Sequence, residues 1–156
     1  MELEELRSNL AEIAVTLVGF SAFFRVFRNR DGAADGHSDS RLLVIIEVGL
    51  VVITACYLPE ILESWGLTEA VSVKIGSAVL AFYWIRLLML VVRIRKEQHA
   101  TPITFKVVAT MHVVIFGTSA TNACLYGNDT LYTSTVFLGL VVVGTAFWAQ
   151  FTAERS

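Results

Sequence analysis

Three ionisable side chains sit deep inside long apolar runs of this sequence: Glu47, Arg86 and His112. A charge at bilayer depth is costly, so each needs a partner or water. Glu47 lies six residues after Arg41, about 9 Å along a helix. Arg86 precedes Arg93 by seven residues, about 10 Å. His112 follows Lys106 by six, again about 9 Å. If those basic residues mark one membrane boundary, all three groups share one depth on three successive helices. A guanidinium stays protonated and offers a planar fork to a carboxylate, so a Glu47–Arg86 ion pair with His112 hydrogen-bonded to one partner is expected. Such a cluster either locks three helices together or lines and gates a hydrated path.

A second polar series follows on the same segment as His112. Ser119, Asn122 and Tyr126 continue it at helical spacing, and Gly117, Ala120, Thr121 and Ala123 are small enough for close helix approach. Either this helix packs tightly at the bundle centre, or it faces a pathway with Glu12, Ser119 and Asn122 among its lining. On both readings it is expected to be the most buried of the five helices within the protein or its oligomer. The following segment, with Val136, Phe137, Leu140, Val141 and Phe147, is expected to face lipid more.

Other chemistry is poorly supported. From Arg86 the third positions are Met89, Val92 and Arg95, a broken ladder for a voltage sensor. Arg93, Arg95 and Lys96 read as interfacial anchors. Asp31, Asp35 and Asp39 lack the alternating oxygen ligands and closing Glu of an EF-hand. Cys56 and Cys124 fall near the same ends of two helices and read as buried free thiols, or as a disulfide if that side is oxidising. No metal site, catalytic constellation, nucleotide fingerprint or protease motif is present, so neither an enzyme nor a cofactor is expected. No basic surface interleaved with aromatics supports nucleic-acid binding.

The elements that would carry these residues are membrane spans. Of 156 residues 55% are hydrophobic and 17% charged, and mean hydropathy is +0.65. A soluble core helix rarely runs 18 residues without a charge, whereas residues 131–151 contain none. The acidic start Met1, Glu2, Leu3, Glu4, Glu5 is not a secretory leader. The chain is therefore expected to be one all-α integral membrane domain over residues 1–156, with helices near 8–28, 42–58, 69–95, 102–125 and 131–152. Residues 29–40 read as a polar loop, and Pro59 should end the second helix. Residues 60–65 then form a short interfacial piece, with Gly66 as its C-cap. Thr68 and Thr101–Pro102 read as helix starts. Gly127, Asn128 and Asp129 read as a tight turn.

Orientation follows from basic residues. With the N-terminus outside, nine Lys or Arg residues face the cytoplasm and only Arg7 and Lys74 face out, a strong positive-inside bias. The C-terminus is then cytoplasmic and the protein a multi-pass component of the cell membrane. Glu12 interrupts the first span, so a four-span arrangement with an interfacial first helix is the alternative. Functionally, a homo-oligomeric ion- or proton-conducting channel is expected. A non-transporting subunit that anchors or regulates a larger membrane complex is the alternative.

Overall fold

A computed structural model describes the backbone of residues 3–30, 36–97 and 102–153, and the side chains of 3–27, 43–89 and 109–148. Among the described residues all regular structure is helical: α1 Leu3–Arg30, α2 Gly36–Ser64, α3 Glu69–Glu97, α4 Pro102–Thr121 and α5 Asp129–Ala153. A π-helical turn, Asn122–Tyr126, extends α4. Within the described residues α1, α2, α3 and α5 contain stretches long and apolar enough to cross a membrane: Leu3–Phe27, Leu43–Ser64, Glu69–Met89 and Asp129–Trp148.

The chain divides into two compact units. The first comprises residues 1–57 and 136–156, the second residues 58–135. In the first, α1 buries one narrow stripe of Arg7, Leu10, Ala11, Ala14 and Ser21, spaced by three, four and seven residues as one helical face requires. Small side chains on that stripe let α2 approach closely. A Cβ added to Gly49 on α2 would strike Val18 Cγ2. Ser21 returns its hydroxyl to the Leu17 carbonyl at 2.8 Å, so this buried polar group is satisfied within α1.

In the second unit α3 packs along α4 and the π turn. Asn122 meets Ser77, and His112 meets Trp84, so residue numbers run in opposite directions and the two helices are antiparallel. Ser77, Leu80, Trp84 and Leu87 on α3, and His112, Ile115, Ser119 and Asn122 on α4, are all buried. Both series step by three, four and seven, the spacing of a knobs-into-holes seam. Tyr132 of α5 lies across Gly76, where a Cβ would come within 2.9 Å of its hydroxyl.

Several boundaries differ from expectation. α2 does not stop at Leu58 but runs through the buried Pro59 to Ser64. Proline removes one helical donor, a loss that neighbouring groups can compensate in membrane helices. α2 ends instead at Gly66, as expected of a C-cap: Leu67 N donates to Leu62 O at 3.3 Å and Gly66 N to Glu63 O at 2.8 Å, with Gly66 at φ 91°. This is a Schellman closure, in which glycine alone takes the left-handed position without steric cost. Residues 36–40, expected in a loop, are the first turn of α2; Asp31 and Asp35 lie outside the described residues.

Within the described side chains both α4 and α5 have buried and exposed faces. Within the single chain α5 buries Tyr132, Thr133, Thr135, Val136, Leu140 and Val143, while α4 exposes Val113 and Val114 opposite its seam. Phe137 does face outward.

Candidate functional site

The three groups expected to cluster are carried by both compact units. Glu47 is half-buried on α2 in the first unit; Arg86 and His112 belong to the second. His112 is buried, its ring 5.2 Å from that of Trp84 at an interplanar angle of 77°. Arg86 is exposed, with its guanidinium 5.9 Å from the centroid of the Tyr83 ring. Arg86 lies two positions after Trp84, about 200° around a helix. Hence α3 turns its histidine contact and its arginine to different sides. The Tyr83 arrangement is a cation–π contact within α3.

Of the expected pathway residues, Ser119 and Asn122 are buried on the α4 seam and Glu12 is exposed on α1. Asn122 is fully engaged. Its Nδ2 donates to Ser77 Oγ at 2.9 Å and to the Asn128 carbonyl at 3.0 Å, while Oδ1 accepts from Asn128 N at 2.8 Å. Asn128 then caps α5, accepting at Oδ1 from Leu131 N at 2.9 Å. The π turn makes this possible by placing Gly127 N on Asn122 O at 2.8 Å, with Gly127 left-handed at φ 61°. One side chain thereby ties the α4–α5 turn to α3. Ser77 is not singled out by the sequence, and Asn128 reads there only as part of a tight turn. Ser77 shares the face of Leu80 and Trp84, and Asn128 precedes a helix, but their pairing through Asn122 depends on the π turn, which periodicity does not encode.

The α1 surface opposite its buried stripe is unlike the others. Glu5, Asn9, Glu12, Thr16, Gly19 and Phe23 are all exposed and fall on one side of the helix. Thr16 donates to the Glu12 backbone carbonyl at 2.9 Å. Among the described residues the Glu12 carboxylate itself has no hydrogen bond or ion pair. A Cβ on Gly19 would meet nothing within 4 Å. The most apolar window of α1 is 22% buried, against 39%, 50% and 39% for those of α2, α3 and α5. Among these four candidate spans α1 is the least covered.

Neither cysteine forms a disulfide; Cys56 is buried and Cys124 exposed, and the exposure of Cys124 departs from the expectation of two buried thiols. Among the described residues no group of three His, Cys, Asp or Glu side chains could hold a metal ion. Comparison with family models, curated proteins and solved structures finds no match to this chain.

Proposed function

We propose that this multi-pass protein of the cell membrane assembles with copies of itself into an ion- or proton-conducting channel lined by α1. The observation that carries the reading is the exposed Glu12 on α1, the least covered of the four candidate spans. Counted back about 20 residues from Phe27, the length of one crossing, α1 enters the bilayer near Ser8 and holds Glu12 about 6 Å inside its outer edge. Facing lipid there, an ionised carboxylate is unfavourable. Facing a water-filled axis shared between copies, it is solvated, and Thr16 and Gly19 continue a polar, narrow lining inward.

On this reading α4 is the fifth span. With its π turn it runs Pro102–Tyr126, 25 residues, about 37 Å. The N-terminus lies outside and the C-terminus in the cytoplasm, as the basic residues favour.

The test is flux from liposomes containing purified protein and an ion- or pH-sensitive dye, between pH 5 and 8. Flux is expected, and Glu12→Gln is expected to lower it without changing assembly. No flux at any pH from well-folded, oligomeric protein would defeat the channel. A non-transporting subunit would then remain, with the exposed Phe20, Phe23 and Phe27 surface of α1 as its contact with a larger complex.

A further inference from the structure

Ser119 differs from most hydroxyl residues in the interior of these helices; Ser72 Oγ is likewise buried with no partner among the described residues. Thr16, Ser21, Thr54, Ser134 and Thr135 each donate to the carbonyl four residues back, the ordinary way to satisfy a hydroxyl in an apolar span. For Ser119 that acceptor would be Ile115 O, but no such bond forms; the neighbouring Thr118 Oγ1 lies 2.9 Å from Val114 O and 3.0 Å from Ile115 O. Ser119 is 1% exposed, and among the described residues its Oγ has no hydrogen-bond partner. Across the seam Trp84 is also 1% exposed, and its Nε1 likewise has no partner among the described residues.

The antiparallel register puts these two groups in one stretch of the α3–α4 seam. The Asn122–Ser77 bond closes its outer end and the His112–Trp84 ring contact its inner end. Ser119 lies one turn inward of Asn122, about 4.5 Å, and Trp84 two turns inward of Ser77, about 10.5 Å. A buried indole N–H and a buried hydroxyl left unmet are costly, and polar groups in protein interiors are ordinarily satisfied. The indole can only donate, whereas the hydroxyl can donate and accept. A molecule that accepts from one and donates to the other satisfies both.

We propose that this stretch of the seam is a built-in water site, one or two molecules bridging Trp84 Nε1 and Ser119 Oγ beside His112. Buried water typically makes two to four such bonds where protein groups are otherwise unmet. The site lies wholly within the second unit and does not depend on the channel reading.

Trp84 reports on it directly. Trp65 and Trp148 are 73% and 71% exposed, so Trp65→Phe with Trp148→Phe leaves Trp84 as the sole indole. Its fluorescence should rise on transfer from H2O to D2O, because exchangeable water touches the ring, yet should resist acrylamide, because bulk solvent does not. Ser119→Ala should abolish the isotope response and shift emission to the blue. If the doubly substituted chain does not fold, the wild-type chain labelled with 5-fluorotryptophan gives the same answer through a solvent isotope shift on the Trp84 resonance, assigned by its loss in Trp84→Phe. No isotope response from folded protein, or a response that Ser119→Ala leaves unchanged, would overturn the proposal.

Discussion

Asn122 shows how much of this protein's order rests on single polar side chains. Its amide makes three hydrogen bonds, to Ser77 and to both backbone groups of Asn128. Each is worth about 0.5–1.5 kcal/mol net, with a further penalty for any buried partner left unmet. Asn122→Ala should therefore destabilise by about 2–4 kcal/mol in thermal or denaturant unfolding in detergent, and Ser77→Ala by about 1 kcal/mol. Equal losses for the two would show that the turn does not depend on the Asn122–Asn128 bonds. Two glycines provide a second contrast. At Gly127 a Cβ would take a left-handed φ of 61° and stand 2.8 Å from the Ala70 carbonyl, so Gly127→Ala should cost about 1–3 kcal/mol. At Gly117 nothing lies within 4 Å of an added Cβ. Gly117→Ala in mid-helix should be neutral or stabilising by up to about 1 kcal/mol. Similar costs at the two positions would refute the assignment of Gly127 to a strained turn.

At the scale of elements, close approach between α1 and α2 rests on Gly49 facing Val18 and the Ala14 backbone. Gly49→Ala should destabilise by overpacking, about 1–3 kcal/mol. Val18→Ala in the same chain should restore part of that loss, with a coupling of about 1–2 kcal/mol in a double-mutant cycle. Additive effects would mean the helices separate there instead of interlocking. The elements themselves were largely legible in the sequence: five helices, the Gly66 cap and the Gly127–Asp129 turn. Pro59 misled because the donor that an interior proline removes can be compensated by neighbouring groups in apolar spans, and α2 runs on through a buried Pro59. Which face of α5 is buried was not legible for a different reason. Apolar residues surround that helix on every side, so Val136 and Leu140, which are buried, carry the same hydropathy signal as Phe137, which is not. The α1 face was only half legible. Glu12 stood out as a charge in an apolar run, but its alignment with Glu5, Thr16 and Gly19 away from the buried stripe emerged only when Arg7, Leu10 and Ala14 were seen on the other side.

For the whole molecule, the proposed orientation makes one native residue diagnostic. Cys124 is an exposed thiol three residues before the Gly127 turn, while Cys56 is a buried one. If the α4–α5 turn faces outward, a membrane-impermeant maleimide applied to intact cells should modify Cys124 and spare Cys56. Cys56→Ala should leave the labelling unchanged, and Cys124→Ser should remove it. A cysteine placed at Glu97, next to Arg93, Arg95 and Lys96, should react only after permeabilisation, because that basic end belongs in the cytoplasm. Labelling in the reverse pattern would invert the topology and, with it, the placement of Glu12 near the outer mouth. Span number separates by the same logic applied to the termini. Five crossings put the two ends on opposite sides, whereas α1 lying flat on the surface leaves four crossings and puts them on the same side. A reporter fused at each end, read in intact and permeabilised cells, distinguishes the two cases. The outcome also bears on mechanism, since a flat α1 would solvate Glu12 at the interface and remove the need for a shared aqueous axis.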